Sequence, residues 1–338
     1  MRIRKKGARN DLGQTILDLL AVVAILALLL QLLLPALQAV RESARRTQCS
    51  TNLRQIGLAM NAHQAVKGYF PSGGWHFDWI GEPERGTDSR QPGSWAFNLL
   101  DYLHESDLRR QGARLQGIER WKALAKRCSR PLTVFHCPTR RAVCAYPYRA
   151  NQRPLTLGGR VSKPFTLAAK TDYAANAGDG PTVEFDWKWS GPQSLAQGDR
   201  ATFVWPDTRR YTGVVFGRSR VRPRDLLDGM SKTYLIAEKY VDSNQYLSGK
   251  DWGDNETLYA GFNNDNCRST AAIPVRDAHG QDCKNRFGSA HPYVWQVVLC
   301  DGSVQAKDFE VDAEVHRRFG NRMDVRQAFP VISSLHLP

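Results

Sequence analysis

The side chains able to carry chemistry in this 338-residue chain sit in a few places. His291 and Asp301 are separated by nine residues, and Gly302 follows the aspartate. A histidine and a carboxylate at fixed spacing suggest a shared metal ion. An extended run between them, at about 3.3 Å per residue, would set them roughly 30 Å apart. The motif therefore reads as architecture: His291 marks the start of a strand, and Asp301-Gly302 turns the chain after it. Glu238 stands in an apolar strand, YLIAEKY, and alternation puts it on the face of Tyr234, Ile236 and Tyr240. It is a buried carboxylate paired with an arginine, or an edge residue; no second group for acid–base work is apparent beside it. Asp251, Asp254 and Glu256 form an acidic loop, with Asn255 and residues 263–266 nearby. Such oxygen-rich loops suit calcium, but the spacing is not that of an EF-hand, and a solvated loop is the simpler expectation.

Seven cysteines agree with an oxidising destination, and the odd number leaves at least one unpaired or paired between chains. Cys267 and Cys283 bracket a polar loop and are the expected disulfide. Cys128, Cys137 and Cys144 lie close together and are able to supply another. Cys300, in VVLC, reads as a small buried hydrophobe. Trp75, Trp79, Trp187, Trp189, Trp205 and Trp252 lie in or near loops, where tryptophans stack on sugars or pin loops to a core. No Walker loop, dinucleotide fingerprint, HExxH or paired CxxC is present, so neither an enzyme activity, a cofactor nor a bound metal is expected.

The elements that must position these groups begin with Thr15–Ala39, where Asp18 and Gln31 are almost the only polar side chains. About 20 apolar residues in a helix cross a bilayer core of about 30 Å, so this segment is long enough to span. A basic arm precedes it, and the positive-inside rule keeps that arm in the cytoplasm and exports the C-terminal side of the helix. The expectation is a single-pass protein of the cytoplasmic (inner) membrane with its C-terminal domain periplasmic or extracellular. Cys49, Leu53, Ile56, Met60 and His63 then step by four, three, four and three, which puts them on one helical face. The spacing predicts one long helix from Gln14 to Val66, kinked at Pro35 and ended by Gly68. The chain thus divides into four segments: a basic leader over 1–13, a transmembrane helix over 14–39, its amphipathic continuation over 40–68, and an exported globular domain over 69–338.

Within that domain, helical spacing marks 94–111 and 118–127. Strands are predicted at 131–138, 211–218, 232–241 and on both sides of Asp301-Gly302, and a helical turn at 224–230. The formal charge is +14, and the arm to Gly13 holds five basic residues and one acid, which leaves +10 without it. Basic runs at 41–46, 109–114, 139–141 and 218–224 read as a solvated face, or as a surface for nucleic acid or acidic glycan.

Several segments together resemble a known family. Gly13, Gln14, Thr15, Ile16, Leu17 and Asp18, between a basic leader and an apolar helix, resemble bacterial prepilin-type sequences. RESARRTQCSTNLRQIGLAM, SWAFNLLDYLHE, VFHCPTRR, TDYAANAG, LLDGMSKTYLIAEK and FGSAHP with CDGSV occur in the order seen in the domain-of-unknown-function 1559 group, whose signature of histidine, nine residues and Asp-Gly is met by His291, Asp301 and Gly302. The resemblance implies an α+β, pilin-like fold: a long N-terminal helix packed on an antiparallel β-sheet domain with long loops. It implies cleavage after Gly13 by a prepilin peptidase, methylation of Gln14, and a role for Asp18 in neutralising the amine of a neighbouring subunit; hydration of Asp18 at the headgroups is the other reading. Gln14 stands where phenylalanine is usual and Asp18 where glutamate is usual. The function implied is a pilin-like or pseudopilin-like structural subunit linked to type II secretion or a type IV pilus-like system. Its partners would be the lipid bilayer and copies of itself or other such subunits. The alternative is an exported binding module for acidic polysaccharide or DNA on an uncleaved anchor.

Overall fold

Helix α1 (Asn10–Lys67) joins the apolar run to the amphipathic one without interruption, as the spacing predicts. The computed structural model describes residues 10–148, 155, 156, 159, 160, 166–186, 188, 189 and 191–324. Leader residues 1–9 and Trp187 lie outside the described residues, and the cleavage pair Gly13–Gln14 falls inside α1. The chain divides into two compact units, Met1–Thr47 and Gln48–Pro338.

In the first unit the large apolar side chains from Leu19 to Val40 are exposed, and so is Asp18. From Asp18 onward α1 is long and apolar enough to cross a membrane. In the second unit the last turns of α1 bury Cys49, Leu53, Ile56, Met60 and His63, the five residues of the predicted stripe. Asn52, a polar neighbour of that stripe, is buried as well, because its amide finds partners inside the domain. Gly68, with φ +80°, ends the helix, and its amide donates to Gln64 O at 2.7 Å.

A five-stranded sheet receives this end of the helix. Its strands are β1 (Tyr173–Asn176), β2 (Tyr234–Glu238), β3 (Cys267–Arg268), β4 (Val294–Leu299) and β5 (Val304–Asp308), in the order β5-β4-β2-β1-β3. The first three pairings along that order are antiparallel, and the short edge strand β3 runs parallel to β1. Leu53, Ile56 and Met60 share a core with Tyr173, Ile236 and Val298. The approach is close enough that a Cβ on Gly57 would meet Val298 Cγ2 at 2.7 Å. The opposite face packs Ala174, Tyr234, Ala237, Trp295, Val297 and Leu299, partly covered by Phe319 of the C-terminal helix Ala313–Gly320. Tyr234 thus leaves the face of Ile236, where plain alternation would keep it. The pairing register shifts between Val298 and Leu299, opposite those residues.

The helix predicted over 118–127 spans Gly117–Cys128, and strands β2, β4 and β5 lie where predicted, with a turn at Asp301-Gly302. Other segments differ. Residues 131–138 form a short 3₁₀ turn (Thr133–Phe135) instead of a strand. Prolines at both ends remove amides that a ladder needs. Residues 211–218 are largely buried but not a strand: Val214 and Val215 both donate to Asn176 O, so the segment closes the end of β1 instead of pairing along it. The segment 94–111 breaks into three short helical pieces around His104, whose φ is +62°. Of the turn predicted over 224–230, 3₁₀ pieces form at Pro223–Asp225 and Met230–Lys232.

Candidate functional site

Four side chains from distant parts of the chain meet where α1 crosses the sheet. Cys49 comes from the core face of α1, and Cys137 follows the 3₁₀ turn Thr133–Phe135. Glu238 ends β2, and His291 precedes β4. All four are buried, and one ligand atom from each lies within 4.8 Å of the others. Among the described residues this is the place where three or more His, Cys, Asp or Glu donors converge so closely. Cys137 Sγ is 3.7 Å from His291 Nε2, and Nε2 is 3.3 Å from Glu238 Oε1.

The surroundings hold these donors in place. Glu238 Oε2 accepts from the Gln296 amide at 2.8 Å. Its Oε1 is sealed from water and engages only the imidazole. The Cys137 amide donates to Asp172 Oδ2 at 2.7 Å. Asn52 Nδ2 donates to His136 O at 2.9 Å and reaches the Tyr173 hydroxyl at 3.3 Å. The contact with the Cys49 thiol, aided by His291, pulls the Cys137 thiol below its ordinary range. That same contact, with burial, pushes the Cys49 thiol up. Burial works against a charged His291, but the Cys137 sulfur and the Glu238 carboxylate outweigh it and push the imidazole up to about 11. Two thiols, an imidazole and a carboxylate in one dry site are able to hold a metal ion, close a disulfide, or persist as a thiolate–imidazolium pair.

Beside this cluster lies a second buried polar region. Arg141 bonds Asp172 at 2.6 Å and also Asp254. Lys239 reaches Asp254 at 3.0 Å, and Arg140 joins Asp172 to Asp277. Burial disfavours charge on Asp172, but Arg141 and Arg140 prevail and hold its carboxyl down, to about 2. The two arginines sit one turn after Cys137, whose carbonyl accepts both of their amides.

Sequence-predicted residues are redistributed by this geometry. Glu238 is buried, as one reading had it, but its partner is His291 and not an arginine. His291 and Asp301 stand at opposite ends of β4, so they share no site. Asp301 and Gly302 serve the turn, while His291 joins the cluster. The acidic loop is not solvated. Asp254 faces Arg141 and Lys239, Asp251 accepts the amides of Asp242 and Gly253, and buried Glu256 accepts from Asn263. Protein donors thus occupy the oxygens considered for calcium. Cys267 and Cys283 are unbridged: Cys267 is buried with its sulfur 3.9 Å from Val215 O, and Cys283 is half-buried in a turn. Cys128 and Cys144 carry free thiols too, and Cys300 is buried as expected. The basic run at 139–141 is no open surface, since Arg140 and Arg141 are internal. Trp75 and Trp79 are buried and donate to Ser89 O and Pro192 O, which pins loops; Trp252 is exposed.

Cys49 and Cys137 were absent from the sequence-predicted site. Their signal was present in pieces: a cysteine on the core stripe of a helix, another between histidine and proline, and an acid in an apolar strand. Nothing in their spacing says that they meet.

All four cluster residues lie within the part of the chain that matches a known family: the model described as protein of unknown function (DUF1559) covers residues 38–314. Neither a curated protein nor a solved structure matches the chain. The match extends over most of the chain and takes in the last part of α1, the sheet and the His291–Gly302 segment, so this protein belongs to the DUF1559 family.

Proposed function

We propose that this protein is a membrane-anchored, non-enzymatic structural subunit of pilin-like or pseudopilin-like build, acting beside a type II secretion or type IV pilus-like machine. The observation that carries the reading is the two-fold character of α1. Its residues 19–40 expose an almost unbroken apolar surface, and its residues 49–63 supply one wall of a domain core. An exposed apolar surface of that extent needs lipid or other apolar helices around it. One helix that serves both lipid and a folded domain is the arrangement such subunits need. In this reading the first part anchors the chain, packs with copies of itself, and carries the domain on the exported side. The segment Gly13–Gln14 is the cleavage and methylation site, and Asp18 meets the amine of a neighbour.

Mass spectrometry of the mature N-terminus in a native host tests this. A chain that starts at methylated Gln14 and fractionates with the membrane supports the subunit reading. A membrane-bound chain that retains Met1 and its basic arm replaces it with a fixed anchor, and a chain released from membranes by a salt wash alone overturns both.

A further inference from the structure

We propose that Cys49, Cys137, Glu238 and His291 together bind one divalent ion of the zinc class, and that this ion fastens α1 to the sheet. The geometry argues first. Four ligands at Zn–S of about 2.3 Å and Zn–N or Zn–O of about 2.0 Å form a tetrahedron with sulfur–nitrogen edges of about 3.5 Å and nitrogen–oxygen edges of about 3.3 Å. The observed edges are 3.7 Å from Cys137 to His291 and 3.3 Å from His291 to Glu238. All other pairs lie within 4.8 Å, so small side-chain movements close the polyhedron.

The donor chemistry narrows the ion. Two sulfurs and an imidazole are poor ligands for calcium and magnesium, which take oxygen. Tetrahedral S₂NO sets suit zinc. Binding releases two protons to solvent, one from the Cys49 thiol and the one that Cys137 and the His291 imidazole share, so that both sulfurs and the imidazole nitrogen are free to ligate. The two thiolates and the carboxylate then meet two positive charges of the ion, leaving one net negative charge beside the cationic Arg140. Glu238 Oε1 is a buried acceptor aimed into the cluster, and its close partner there is the His291 ring at 3.3 Å, itself one of the proposed ligands. Outer contacts fix the ligands as metal sites require: the Gln296 amide on Glu238, and Asp172 on the Cys137 amide.

The rival is a disulfide between Cys49 and Cys137. It would account for two of the four side chains and give no reason for His291 and Glu238 to face them. The site is enclosed and uses four protein ligands, so it is a structural centre with no open position for a reaction. Its ligands come from residues 49, 137, 238 and 291, so one ion closes three long loops at once.

The test is metal analysis of the full chain, purified in detergent without chelator, by plasma mass spectrometry, followed by exchange with Co²⁺. The expected result is one zinc per chain and, after exchange, thiolate-to-cobalt charge-transfer bands of a tetrahedral site. Cys49→Ser and Glu238→Gln should each lose the stoichiometric ion, and Cys144→Ser, a thiol outside the cluster, should keep it. Chelator should lower the thermal midpoint of the parent chain and leave that of Cys49→Ser unchanged. A folded parent chain that holds no zinc and gives no cobalt bands overturns the proposal whether or not the variants fold. So does a Cys49–Cys137 disulfide found by mass mapping of that chain. The outcome does not depend on cleavage at Gly13 or on assembly.

Discussion

Two polar regions lie side by side in the interior of this domain, and they are built on opposite plans. Around Arg140 and Arg141, each cation faces carboxylates and each carboxylate faces cations: Arg141 with Asp172 and Asp254, Arg140 with Asp172 and Asp277, Lys239 with Asp254. Around Cys49, three groups able to become anions face one imidazole. The last residue of β2 and the one after it feed the two regions separately, because Glu238 and Lys239 point to opposite sides. A buried ion pair survives when its charges cancel locally; a buried set of donors with a surplus of one sign calls for a counter-ion. The arginine network is therefore complete as protein alone, and the thiol cluster is completed by a cation.

Unbalancing the network should cost the domain most. Arg141→Met keeps volume and leaves Asp172 and Asp254 in the interior with fewer cations. Removing one partner of a buried pair costs about 3–5 kcal/mol, so the urea midpoint should fall steeply. A loss under about 1 kcal/mol would show that the network is hydrated in solution and that its burial is not a matter of matched charge.

A buried imidazole outside both regions sharpens the contrast. The His316 ring has no hydrogen-bond partner among the described residues and packs among Tyr234, Trp295 and Phe287; burial, with Lys307 nearby, lowers its pKa from 6.5 to about 4. The folded pKa lies below the unfolded one, so the unfolded chain takes up the proton first. The stability this histidine contributes is present above pH 6.5 and is lost as pH falls from 6.5 toward 4, by at most about 3 kcal/mol. His316→Phe should remove that part of the acid dependence in urea titrations at successive pH values. An unchanged slope between pH 6.5 and 4 would mean that the ring is solvated.

The frame of the domain and its two polar regions were unequally legible in the sequence. Helix α1 and strands β2, β4 and β5 could be read because their periods, of 3.6 and 2, report directly on which faces are covered. The stripe Cys49–His63 even identified the core face of α1. The breaks at His104 and in 131–138 were hidden because local pattern does not tell a helical run from a chain reversal when the tertiary contacts decide. For the cluster, Glu238 and His291 were singled out one at a time, and the cysteines were read as disulfide partners or core. What brings them together is the pairing of β2 with β4 and the crossing of α1 over both. Contacts at such separations leave no mark in a spacing rule. The acidic loop failed for the same reason, since its cations come from residue 141 and from β2's end.

Asn52 tests the link between helix and cluster. Its amide holds His136 O and the Tyr173 hydroxyl, and so ties α1, three residues after Cys49, to the segment before Cys137 and to β1. Asn52→Ala should cost about 1–3 kcal/mol through the acceptors it leaves unpaired. Ligand-orienting groups of this kind change metal affinity about 10–100-fold, so zinc competition with a chromophoric chelator should show a loss in that range. A stability loss with unchanged zinc affinity would separate the hydrogen bonds from the cluster.

The turn at the far end of β4 should matter least to stability. Gly302 sits at φ +88° in the turn after Asp301, a conformation that costs a side chain about 1 kcal/mol, and a Cβ there would stand 3.2 Å from Asn61 Nδ2. Gly302→Ala should therefore lower the urea midpoint slightly. It should leave zinc content unchanged, because the six residues of β4 separate the turn from the segment carrying His291, and the strand is held by β5 over 294–298 and by β2 over 297–299. If the substitution instead empties the metal site, strand β4 moves as a unit when its turn is strained. His291 and Gly302 would then be coupled through the strand, and the cluster's stability would be a property of the hairpin and not of its four ligands alone.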